Sequence, residues 1–192
     1  FVNDVVRVLD VEVLPGEATQ YHTHSLDYPY VMLSTSLLKN DIPGKPQADL
    51  NITAGLVGYY RASQGAYTHR FTNADSKPFR AIGIELLTSS PLGNGAAPLA
   101  ESAAVKKVLD NERVRGYRLT LAPGETIGPL TLPGRSVRIA QSAGVIEQSV
   151  NDGAAFTASL DVAQFEWRET AATVVLKNIG ATTMELVEFE FK

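Results

Sequence analysis

Two histidines at alternate positions, His22 and His24, close the stretch Gly16-Glu17-Ala18-Thr19-Gln20-Tyr21-His22-Thr23-His24. On a β-strand alternate side chains share one face, so the two imidazoles point the same way. The only other histidine in the sequence is His69, in Tyr67-Thr68-His69-Arg70-Phe71-Thr72-Asn73. If the two segments pair, three imidazoles converge, and three neutral nitrogen donors on a β scaffold suit one divalent transition metal: Fe(II), Zn(II), Mn(II), Ni(II) or Cu(II). Such a set leaves coordination positions open for water or substrate, which separates a catalytic centre from a closed structural one. Without a carboxylate among the donors the centre keeps its positive charge and favours an anionic or bidentate oxygen ligand. Tyr28, Tyr30, Arg61 and Tyr67 are the nearby groups able to position such a ligand.

The composition removes other chemistries. There is no cysteine, and with it go disulfides, thiolate nucleophiles and Cys-based zinc sites. A formal charge of −4 with scattered Lys and Arg gives no basic stripe for nucleic acid. No apolar run approaches the length of a membrane helix. No glycine-rich phosphate loop, Ser-His-Asp order or paired-carboxylate signature stands out. The first residue, Phe1, is not Met, which implies a preceding segment, whether a removed signal peptide or a trimmed start. A periplasmic or secreted bacterial protein fits that start and the lack of cysteine, with the cytoplasm left open.

The elements that must hold the histidines occur twice. Residues 5–14 are β-branched and partly alternating, and end at Pro15-Gly16, which reads as a strand closed by a turn. Asn3, Val6, Arg7, Pro15, Gly16 and Glu17 recur as Asn111, Val114, Arg115, Pro123, Gly124 and Glu125, a constant 108 residues on. A second match, residues 71–85 against 176–190, has an offset of 105. Two matches in one order point to duplication of a unit of about 90 residues. The expected division is a first domain over 1–88, a Gly/Pro-rich linker over 89–104 and a second domain over 105–192. Residues 100–109 read as a short helix leading into the second half. The short alternating runs 30–38, 55–62, 67–72 and 79–87, with a loop over 40–46, favour an antiparallel sandwich or barrel.

Under the repeat, His22, His24 and His69 correspond to Leu130, Leu132 and Val174. Aliphatic twins mark all three positions as inward-facing, and buried imidazoles need a hydrogen-bond partner or a metal. Asn73 and Glu17 recur as Asn178 and Glu125 in the half without histidines, which marks them as structural. Trp167 reads as a strand aromatic packing against the partner domain, and the charged run 106–118 as a solvated face.

The spacing Gly16, five residues, His22, one residue, His24 resembles the first cupin motif, and His69 with Asn73 resembles the close of the second, with Gly58 at the glycine that opens it. The resemblance covers both halves. It implies an all-β fold of tandem cupin (double-stranded β-helix, or jelly-roll) barrels, a bicupin with a metal-type motif only in its N-terminal barrel. The usual glutamate beyond the second histidine is replaced by Tyr28 and Pro29, and the second motif shows Gln64 and Ala66 where proline and glycine are usual. Asp27, one position early, is then the candidate fourth ligand or outer partner, although strict alternation from His24 points it away.

The resemblance implies a metal-dependent protein with a small-molecule ligand and neither nucleic acid nor membrane as partner; a homodimer stays open. If it is an enzyme, a dioxygenase-like oxidoreductase on a small oxygenated or anionic substrate is favoured. A metal-dependent isomerase or lyase, and a non-catalytic binding or sensory module, are the alternatives.

Overall fold

The computed structural model describes residues 1–93, 97–132 and 134–192. Asn94, Gly95 and Ala96, in the stretch read as a linker, lie outside the described residues. Among those described, strands dominate, and no helix is long and apolar enough to cross a membrane.

The chain divides into two compact units, Phe1–Ser89 and Ser90–Lys192. The first contains β1 (Val6–Val13), β2 (His22–His24), β3 (Tyr28–Met32), β4 (Ser36–Asp41), β5 (Ala48–Ile52), β6 (Val57–Tyr60), β7 (Tyr67–Asn73) and β8 (Phe79–Leu86). A single 3-10 turn, Ala62–Gln64, separates β6 from β7. The strands form two antiparallel sheets in the orders β1-β8-β3-β6 and β2-β7-β4-β5. Val13, Phe79 and Ala81 of one sheet pack on Leu38 and Phe71 of the other, so the sheets face across a common core. The run 30–38 is therefore two strands, broken at 33–35, and β4 continues through Asn40 and Asp41, which the sequence assigns to a loop.

The second unit contains β9 (Val105–Asp110), β10 (Val114–Leu121), β11 (Thr126–Leu132), β12 (Ser136–Ala140), β13 (Gly144–Val150), β14 (Phe156–Leu160), β15 (Phe165–Arg168), β16 (Ala172–Asn178) and β17 (Met184–Phe191). Its sheets run β15-β12-β17-β10-β9 and β11-β16-β13-β14. The order repeats that of the first unit, with β9 added at one edge. This strand replaces the short helix expected over 100–109. Val105 and Val108 favour an extended chain, and β10 offers a free edge whose hydrogen bonds outweigh the marginal helicity of a ten-residue segment. Upstream, Leu92 and Leu99 are buried, and Leu99 donates its backbone N–H to the Tyr117 hydroxyl at 3.0 Å.

The repeat extends to individual hydrogen bonds. In the first unit the fully buried Asn73 donates from Nδ2 to the carbonyls of Val13 (2.9 Å) and Lys77 (2.8 Å). In the second, Asn178 donates to Leu121 (2.9 Å) and Thr182 (2.8 Å). The Gly16 and Gly124 amides donate to the carbonyls of Asn73 and Asn178, and both glycines sit at φ near +77° and +78°, which a side chain disfavours. Asn3 and Asn111 each cap the start of their strand by accepting from two backbone amides. The ion pair Arg7–Glu85, its arginine exposed and its carboxylate buried, recurs as Arg115–Glu190. Trp167 packs on Phe191, a neighbour within its own unit, at 5.8 Å between rings. The run 106–118 alternates between β9, where Lys106 and Lys107 are exposed, and β10, whose Arg115 is drawn in to Glu190.

Candidate metal centre

The pairing of β2 with β7 sets His22 directly opposite His69, and His24 opposite Tyr67. Directly opposed residues share a face, and His24 lies on that face two residues along. One ring nitrogen from each histidine lies within 4.8 Å of the others. Nε2 of His24 and Nε2 of His69 are 3.1 Å apart. Two imidazole nitrogens at the usual metal–nitrogen distance, subtending 90° to 109° at one ion, stand about 2.9 to 3.4 Å apart.

The other edges of two rings are fixed. His22 Nδ1 donates to the Gln20 carbonyl at 2.9 Å, and His69 Nδ1 donates to Oδ1 of Asn40 at 2.8 Å. An imidazole whose Nδ1–H is engaged by a carbonyl carries its lone pair on Nε2, the tautomer that ligates. Asn40, itself buried, donates from Nδ2 to the Tyr67 hydroxyl at 2.6 Å. Because Tyr67 accepts there, its own O–H remains available as a donor.

The rings rest in an aromatic cup. Tyr28 stacks on His24 with centroids 4.8 Å apart, Tyr67 lies 4.5 Å from His69, and Tyr30 and Tyr60 flank Tyr28 at 5.9 and 5.7 Å. Gly58 makes room for the Tyr30 ring, since a Cβ there would stand 2.4 Å from the Tyr30 Cζ. Burial, reinforced by His22 and His24, pushes the His69 pKa down to about 4. Burial likewise lowers that of His24, with His22 adding and Glu85 opposing. Both rings are therefore neutral at neutral pH, as ligation requires. Burial raises the Tyr28 and Tyr30 phenols, which stay protonated donors.

Asp27 does not join the cluster. Its carboxylate accepts from the Ser63 amide at 2.7 Å and the Tyr59 hydroxyl at 3.0 Å, fastening the 3-10 turn to the start of β3. Arg61, at the N-terminus of that turn, is exposed. Of the residues singled out, the structure gathers His22, His24, His69, Tyr28, Tyr30 and Tyr67. Asn40 was not among them, although a polar residue at an inward position of the alternating strand Ser36–Asp41 is a readable signal.

No protein-family model matches the sequence, and no curated protein matches it either. Solved structures do. AerE from Microcystis aeruginosa aligns over 99% of this chain and 88% of its own, at 13% identity and a TM-score of 0.66. Oxalate decarboxylase from Lactobacillus farciminis aligns over 99% and 77%, at 13% identity and 0.64. Salicylate 1,2-dioxygenase from Pseudoaminobacter salicylatoxidans aligns over 97% and 71%, at 12% identity and 0.62. The chain has the cupin fold. At such identities the likeness concerns the path of the backbone, and the chain's chemistry has to be argued from its own side chains.

In the second unit the register is preserved while the donors are gone. Leu130 stands opposite Val174, as His22 stands opposite His69. Leu130, Leu132 and Val174 are all buried in an aliphatic core with Leu119, Leu121, Ile146 and Met184.

Proposed function

We propose that this chain is a bicupin whose N-terminal barrel holds one divalent transition metal through His22, His24 and His69 and acts as a dioxygenase-like oxidoreductase on a small oxygenated or anionic substrate. The carrying observation is the donor set: two of the three imidazoles have Nδ1 engaged by carbonyl oxygens, and the Nε2 atoms of His24 and His69 meet at 3.1 Å, the edge length of a coordination sphere.

When bound, such an ion supplies Lewis acidity and redox capacity to an oxygenated substrate and dioxygen. The protein supplies the rest. Asn40 orients His69 and Tyr67 together. Three neutral ligands leave the charge of a divalent ion uncompensated, which selects an anionic oxygen ligand. The hydroxyls of Tyr28, Tyr30 and Tyr67 are hydrogen-bond donors to that ligand, and their rings exclude water on the side of β3 and β7. The second barrel, with aliphatic residues at the corresponding positions, offers no such donor set.

Metal analysis of protein purified without an affinity tag tests the first step. About one equivalent per chain is expected, falling to background in the His22→Ala/His24→Ala/His69→Ala variant; the same content in both sinks the metal site. Oxygen consumption by the iron-loaded protein over thiols, diketones and phenolic acids tests the second. Silence across that panel favours a binding module or a metal-dependent isomerase or lyase.

A further inference from the structure

A cavity of about 300 Å³ lies inside the second unit, among β12, β13, β14 and β15. It occupies the place in that unit corresponding to the wall of the histidine cup, but its chemistry differs. Tyr30 stands opposite Gly83 in the first unit; at the same register Arg138 stands opposite Glu188.

Arg138 lines the cavity and is 3% exposed. Its Nε donates to Glu188 Oε2 at 2.8 Å and its Nη1 to Gln148 Oε1 at 3.1 Å. Its Nη2, buried, has no hydrogen-bond partner among the described residues. The second guanidinium, Arg168, shares the same carboxylate through Glu188 Oε1 at 3.3 Å. Two buried cations thus meet one fully buried anion. The remaining negative charge, Glu166, reaches Arg168 Nη2 at 2.8 Å and Arg138 Nη1 at only 3.7 Å, and its side chain is 42% exposed at the rim. Burial, with the neighbouring Arg138, lowers the Arg168 pKa, while Glu188 and Glu166 oppose the shift. Leaving a buried guanidinium N–H unmet is costly, and an arginine is built to meet a planar carboxylate. Apart from Gln164, the rest of the wall is apolar, with Ile146, Ala158, Leu160 and Phe156 lining it. A hydrated inorganic ion gains nothing from such a wall, whereas an organic acid with a hydrophobic body uses both ends.

We propose that the second barrel is a binding site for a small organic monocarboxylate with an apolar body, its carboxylate on Arg138 and its body against Ile146, Ala158 and Leu160. This site is independent of the histidine cluster, since it shares no residue with it. Glu166, 2.8 Å from Arg168 but 3.7 Å from Arg138, keeps its contact to Arg168 and yields its place beside Arg138 to the ligand's carboxylate.

Calorimetric titration of the full chain with benzoate tests this, with benzamide and inorganic phosphate as comparisons. Saturable binding of benzoate alone is expected. Arg138→Gln should weaken it at least about tenfold by removing the charge-assisted contact. Ala158→Phe, which fills the cavity and leaves the ion pairs untouched, should abolish it and decides the matter should Arg138→Gln fail to fold. His24→Ala should leave it unchanged. No benzoate binding, equal binding of benzamide, wild-type binding by Ala158→Phe, or loss in His24→Ala would each overturn the proposal.

Discussion

Asn40 governs the state of His69: with Oδ1 engaged by Nδ1, the ring cannot rotate and its lone pair stays on Nε2. Replacing it with alanine frees both His69 and Tyr67. Asn40→Ala should weaken metal binding by about 10- to 100-fold, the usual cost of losing an outer hydrogen-bond partner, measured by competition with a chromogenic chelator. The pH response follows from His69. Its folded pKa of about 4 lies below the ordinary histidine value, so as pH falls from 6.5 the unfolded chain takes up a proton before the folded chain does. Metal-free protein should therefore lose stability between about pH 6.5 and pH 4, and His69→Phe should flatten that slope in thermal unfolding followed across the window. The three histidines were legible because their aliphatic twins revealed an inward face. Asn40 is not, because the sequence pattern ends its strand before it, in a loop over 40–46, whereas the strand runs Ser36–Asp41.

At the scale of elements, Asn73 and Asn178 tie the end of a strand to the β1 or β10 carbonyl that precedes the glycine turn, each fully buried and each making two donations from Nδ2. Removing either leaves two carbonyls without their partner. Asn178→Ala should cost at least about 2 kcal/mol by chemical denaturation, with no change in metal content. The recurrence of this asparagine at one offset, in a half that has no histidines, exposes its structural role from sequence. The strands of the first unit were largely readable from alternation and turns, as in 67–72 against the observed Tyr67–Asn73. The stretch 100–109 reads as helix because its alanines and lysines are good helix formers, and only the unpaired edge of β10 draws its residues from Val105 on into a strand. Such a non-local partner has no local signature.

For the whole molecule, what the two units share is the backbone register, the turn glycines, the capping asparagines and an Arg–Glu pair in each. The interiors diverged around that frame: imidazole and phenol in one, aliphatic bulk with buried arginines and a glutamate in the other. The fold could be anticipated because the frame carries sequence marks at fixed offsets. The Arg138–Glu188–Arg168 cluster could not, because its members lie on three strands with nothing in their spacing to connect them.

Frame and contents being separable, a ligand set can be transplanted. Leu130 already faces Val174 as His22 faces His69, so the triple substitution Leu130→His, Leu132→His and Val174→His writes the donor pattern into the aliphatic barrel without moving a backbone atom. Three imidazoles entering a dry core should destabilise the metal-free protein by several kcal/mol, about 2 or more for each unmet group. Zinc should then recover the lost melting temperature, and the metal content should rise from one equivalent per chain to two. Had the histidines required a backbone of their own, the graft would remain unfolded whatever metal was supplied.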